Sequence, residues 1–131
     1  MMNEKPKVKV AVIGVGVMGS PHARQIAGLE DARLVAVCDV NQECAQGLAL
    51  ELGAEAFFDH QKLLDSARPE AVVIATPHFA HTPLSIACLE RGIHVLVEKP
   101  LAVHVNDGYK MIAAYEESRQ AYPGLVFAIM F

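Results

Sequence analysis

The stretch VAVIGVGVMG, Val10 to Gly19, decides the fold. Its first half, Val10-Ala11-Val12-Ile13, is an apolar, largely β-branched run, and its second half places glycine at positions 14, 16 and 19. A strand that runs into G-x-G-x-x-G and opens a helix has a physical use for each glycine. Gly14 permits a tight turn, Gly16 lets an anionic group approach the backbone, and Gly19 lets the helix pack closely on the strand. The helix amino terminus then presents unpaired amides and the positive end of its dipole to the anion. Gly14, Gly16, Val17, Met18 and Gly19 are therefore expected to seat a pyrophosphate.

Asp39 strengthens this reading, because it lies twenty residues beyond Gly19 at the end of a second apolar run. A carboxylate there accepts hydrogen bonds from the 2′ and 3′ hydroxyls of an adenosine ribose. It also repels a 2′-phosphate, and neither Val40 nor Asn41 beside it supplies a cation. NAD is expected in preference to NADP.

Working outward, short apolar runs alternate with helical patterns. Strands are expected at Lys7–Ile13, Arg33–Cys38, Ala54–Phe58, Ala71–Ala75, Ile93–Val97 and Leu125–Phe131. Most are continuous apolar runs, as required when helices bury both faces of a parallel sheet. Gln42–Leu52 sets Ala45, Leu48, Ala49 and Leu52 on one stripe, with Asn41 as cap and Gly53 as stop. A second helix runs from Thr82 to Arg91, capped by Thr82, with Pro83 in its first position and Gly92 at its end. A third opens at Asn106 and runs to about Gln120, turning Tyr109, Ile112 and Ala113 inward. Ser20-Pro21 is an irregularity, since proline biases the residue before it away from helical dihedrals. Right-handed crossovers then give an α/β, doubly wound parallel sheet of three layers, a Rossmann fold, in the order 3-2-1-4-5-6. Ligands of such a sheet bind beyond the carboxyl ends of its strands.

Composition narrows the partners. The 131 residues are 53% hydrophobic with a net charge of -4, so no basic excess is present to track a phosphate backbone. Nucleic acid is not expected, nor is a membrane span, because no apolar run is long enough. The three cysteines, Cys38, Cys44 and Cys88, show no Cys-x-x-Cys spacing, which favours neither a disulfide framework nor zinc. A reducing cytoplasm fits them, and Cys38 and Cys88 read as small core residues, with Met111 and Met130 as gap-fillers. No metal site is expected from the histidines.

Two further turns follow strands. Ala75-Thr76-Pro77-His78 ends the fourth, where a cofactor's ribose and nicotinamide can lie against Thr76 and Pro77. His78 and His81 are candidate acid/base groups, although a histidine near a helix start is more often a surface or capping residue. Glu98-Lys99-Pro100 ends the fifth, and Lys99 adjoins the place where the nicotinamide belongs. A lysine there can hold a substrate oxygen beside the hydride acceptor and ease loss of its proton.

With Cys38-Asp39, Ala75-Thr76-Pro77, His81 and the run Gly92-Ile93-His94-Val95-Leu96-Val97-Glu98-Lys99-Pro100, the glycine pattern resembles the amino-terminal domain of the glucose-fructose oxidoreductase, inositol dehydrogenase and rhizopine-catabolism (Gfo/Idh/MocA) family. The resemblance covers nearly the whole chain. It implies that Lys99 contacts substrate and nicotinamide ribose and assists catalysis, that Thr76, Pro77, His81 and Glu98 line the nicotinamide side, and that the bond before Pro100 is often cis. It implies NAD-dependent hydride transfer to or from a sugar, cyclitol or related polyol, and a homo-oligomer at full length. It also implies a second domain carrying an Asp-x-x-x-His pair and the substrate pocket. The apolar end at Phe131 is read as a cut at that junction, so residues 1–131 form the dinucleotide-binding domain alone and are expected to turn over little. A non-catalytic NAD sensor on the same fold is the alternative.

Overall fold

The computed structural model describes residues 5–130. Six parallel strands, β1 (Val8–Ile13), β2 (Ala32–Cys38), β3 (Glu55–Phe57), β4 (Ala71–Ile74), β5 (His94–Val97) and β6 (Phe127–Ile129), form one sheet in the expected order β3-β2-β1-β4-β5-β6. The strands are slightly shorter than the apolar runs that encode them, and Phe131, the last residue of the sixth run, lies outside the described residues.

Both faces are buried, and β1 shows how. Val10 and Val12 point into one core with Leu34, Val37, Leu48 and Val73, beneath α1 (Gly19–Ala27) and α2 (Gln42–Leu52). Ala11 and Ile13 point into the other, with Leu63, Leu64, Leu89 and Val95, beneath α3 (His60–Ala67) and α4 (His81–Glu90). Because side chains alternate along a strand, a strand buried on both sides must be apolar at every position. That is why β1 carries no polar residue between Val10 and Ile13. The fifth helix, α5 (Val105–Ala121), packs on α4.

The helix ends repay inspection. Asn41 caps α2 by accepting from the Cys44 amide at 3.2 Å, and Gly53 ends it at φ 70°, a left-handed conformation that glycine adopts without a Cβ clash. The other two caps differ from expectation. Helix α4 begins at His81 behind Ala80, so Thr82 and Pro83 fall second and third in its first turn; proline is tolerated there because that amide has no intrahelical acceptor. Helix α5 begins at Val105, one residue before Asn106, and no side chain caps it. Its inward face is also corrected: Gly108, Met111 and Ser118 are buried, whereas Tyr109 and Ile112 are 65% and 46% exposed and Ala113 is exposed. The true stripe, one residue out of phase, mixes glycine, methionine and serine, so apolarity alone does not reveal it. Helix α3 escaped the sequence reading because eight residues are too few for a periodic stripe; its signals are Asp59, which accepts from the Gln61 amide, and the buried pair Leu63-Leu64.

Cys38 and Cys88 are core residues as expected, and Cys44 is exposed. Burial, with Asp39 and Asp59 adding to it, pushes the Cys38 thiol up to about 12; burial does the same for Cys88 against an opposing effect of Arg91. Since the thiolate is the reactive form, a maleimide at pH 8 is expected to label Cys44 alone in the folded chain and all three thiols in denaturant. Rapid native labelling of Cys38 or Cys88, counted by mass spectrometry, would contradict the packing of both cores.

Candidate functional site

The sheet register assembles the site. Phe57, Cys38, Ile13, Ile74, Val97 and Ile129 pair in one row across the sheet. The residues that follow them, Phe58, Asp39, Gly14, Ala75, Glu98 and Met130, therefore emerge along one edge. Every turn singled out in the sequence leaves the sheet there.

The glycine loop crosses the centre of that edge. Gly14 has φ 92°, and a Cβ on it would lie 2.7 Å from the backbone of Ala75 and Thr76, so the loop presses directly on the turn after β4. A Cβ on Gly19 would collide with the Gly14 carbonyl oxygen. Gly16 differs, having nothing within 4 Å of where its Cβ would stand. Open space lies there, and no described residue accepts a hydrogen bond from the amides of Gly16, Val17 or Met18. An exposed cradle of free amides before a nine-residue helix fits a pyrophosphate. Ser20 is helical despite Pro21, and its hydroxyl donates to the Val15 carbonyl at 2.6 Å, fastening the loop to the helix it opens.

Asp39 is tied to the same loop. One carboxylate oxygen accepts from the Val15 amide at 2.9 Å and the other from the Asn41 amide at 2.9 Å. Each oxygen keeps a further lone pair for a ligand hydroxyl. Beside it runs a groove of about 390 Å³ lined by Gly14, Asp39, Thr76 and Pro77, and also by Val40, Phe58, Phe79, Pro83 and Leu84. The second group went unnoticed in the sequence. Its signal is the strand-end rule for Phe58 and, for Phe79 and Val40, large apolar side chains left 78% and 90% exposed on turns at that edge. An apolar slot beside a carboxylate with free lone pairs suits a planar base carried on a hydroxylated group.

At the far side, Lys99 is exposed and, among the described residues, makes no ion pair. Glu98 is not its partner: the Glu98 side chain turns inward and accepts from His22 Nε2 at 2.6 Å. The peptide bond between Lys99 and Pro100 is cis. His81 requires correction. Expected on the nicotinamide side, its ring is wholly buried, with Nδ1 2.9 Å from the Pro100 carbonyl oxygen and Nε2 3.1 Å from that of Thr76. It fastens two turns together and offers no surface to a ligand. His78 is exposed beside it, 5.6 Å between ring centres. Among the described residues no group of three or more potential ligands is placed to hold a metal, and no helix is long and apolar enough to cross a membrane.

The fold is shared with known proteins. The chain is 42% identical over 109 residues to an inositol 2-dehydrogenase of Saccharopolyspora erythraea, covering 81% of this chain and 32% of that protein. It is 42% identical over 118 residues to an inositol 2-dehydrogenase of Rubrobacter xylanophilus, covering 89% and 34%. The chain thus spans about a third of the length of these relatives. It superposes with a TM-score of 0.81 and 33% identity on the WlbA dehydrogenase of Bordetella pertussis, solved with NADH and UDP-GlcNAcA, over 86% of this chain and 35% of that one. Residues 8–123 match the model of an oxidoreductase family with an NAD-binding Rossmann fold, and the chain belongs to that family, Gfo/Idh/MocA.

Proposed function

We propose that this chain is the nucleotide-binding domain of an NAD-dependent oxidoreductase that moves a hydride between nicotinamide and a CH–OH carbon of a cyclitol, sugar or related polyol. The observation that carries the reading is the single edge on which the apolar slot, the Asp39 carboxylate, the free amides of the glycine loop and the Lys99 ammonium stand in that order. A dinucleotide needs those four features in that sequence: anion donors at its centre, a hydroxyl acceptor and an apolar slot at one end, and a cation beside the other. Gly16 and the loop amides hold the pyrophosphate, Asp39 the adenosine ribose, and Val40, Phe58 and Phe79 the base. Thr76 and Pro77 flank the nicotinamide side. Lys99 touches the reacting oxygen, stabilising negative charge on it as its proton departs. The bound cofactor supplies the hydride chemistry, and the protein supplies orientation and charge. The acid/base histidine and the substrate walls belong to the second domain that the family resemblance implies, so residues 1–131 alone turn over little.

Calorimetric titration tests the cofactor reading. NAD is expected to bind, and NADP about tenfold or more weakly, because its 2′-phosphate meets Asp39 without a nearby cation; tenfold corresponds to roughly 1.4 kcal/mol. Equal or tighter binding of NADP would remove the preference, and binding of neither would remove the site.

A further inference from the structure

Lys99 protrudes from a turn whose neighbouring residues are both fastened. On one side the Pro100 carbonyl is held by His81, which also holds the Thr76 turn. On the other the Glu98 backbone amide still donates to the Ile74 carbonyl at 2.9 Å, extending the β4–β5 ladder, while its carboxylate takes the His22 hydrogen bond. His22 stands three residues beyond Gly19 in the first turn of α1, the helix whose amino terminus faces the pyrophosphate seat. The two side chains are only 19% and 11% exposed, so the carboxylate is largely removed from water and the imidazole is its one side-chain partner among the described residues. A buried carboxylate without a donor is costly, which gives this contact more holding strength than a surface pair.

We propose that His22 is a positioning residue, which through Glu98 locks the Lys99 turn to the pyrophosphate helix. The glycine loop and the lysine then move as one body, and the distance from the pyrophosphate seat to the lysine end of the cofactor seat is set by a side-chain bond across the sheet edge. The proposal rests on the reading of Lys99 as the group beside the nicotinamide, so the test separates the two.

Five variants carry it: His22→Leu, which keeps apolar bulk and removes the donor, His22→Gln, whose side-chain amide can reach the same oxygen, Lys99→Ala, and each His22 substitution combined with Lys99→Ala. Amide order parameters at Lys99 and Leu101 are expected to fall from about 0.85 to below about 0.6 in His22→Leu, with Val95 and Val97 unchanged and His22→Gln close to the unmutated chain. NADH affinity is expected to drop on the order of fivefold in His22→Leu when Lys99 is present, and not when it is alanine, since residues acting through one another are non-additive. Unchanged order at Lys99 in His22→Leu would overturn the proposal. So would an equal affinity loss in the Lys99→Ala background, which would place His22 in the glycine loop's own stability. If the turn loosens as expected but Lys99→Ala by itself leaves NADH binding untouched, the lock stands, and it is the assignment of Lys99 to the nicotinamide end that fails.

Discussion

Gly19→Ala is expected to abolish measurable NAD binding and to lower stability by about 2–3 kcal/mol or more, the upper range for forcing atoms into a filled site. The added methyl would collide with the Gly14 carbonyl oxygen and also approach the Ala75 side chain at 3.3 Å. No rotamer change relieves that, because the obstacle is backbone. Either α1 tilts away from β1 or the Gly14 turn opens, and both spread the amides proposed to cradle the pyrophosphate. Gly47→Ala is the matching control. Gly47 sits exposed in α2 with nothing within 4 Å of its Cβ position, so alanine there is expected to be neutral or to stabilise by up to about 1 kcal/mol through helix propensity. Thermal melts and calorimetry on the two variants check this directly. A Gly19→Ala chain that binds NAD normally would mean that the loop is looser than its geometry states.

Asp39→Ala has the second large effect, and its cause is double. The substitution removes the acceptor proposed for the ribose hydroxyls, and it also strips the Val15 amide, in a residue only 3% exposed, of its hydrogen bond. An unsatisfied buried donor costs about 1–3 kcal/mol, so the melting temperature should fall as well as the affinity. NAD binding is expected to weaken about 30-fold or more, and NADP binding less, because the repelling charge goes together with the loop's support. The ratio of the two affinities should move toward one. Asp39→Asn retains one side-chain oxygen as acceptor and should recover most of the melting temperature while leaving the ratio altered. An unchanged ratio in both variants would show that discrimination comes from elsewhere in the groove.

The placement of Gly14, Gly16, Gly19 and Asp39 at one sheet edge was readable because it depends on backbone geometry and on sequence distance within one β-α-β unit, which the residue order preserves. Strand order followed from the handedness of short crossovers, and the sheet's two-sided burial from uninterrupted apolar runs such as Val10-Ala11-Val12-Ile13. The inward face of α5 differs from the expected one because its buried positions include Gly108 and Ser118, which carry no apolar side chain to mark the stripe. Helix α3 was too short to show a period.

What residue order determined here is the fold, the glycine loop, the carboxylate beside it and the edge on which chemistry collects, all consequences of local backbone preference and alternation. Only the tertiary structure decided who partners whom across that edge. Glu98 lies 76 residues from His22, and His81 lies 19 from Pro100. Along the chain, Glu98 and His81 are both expected to face the cofactor; folded, Glu98 turns to His22, His81 is sealed between two turns, and Lys99 makes no ion pair among the described residues. Side-chain partners of this kind are set by which strand ends the register brings side by side, and by the cost of burying a polar group without one. Neither is written in the spacing of any single segment.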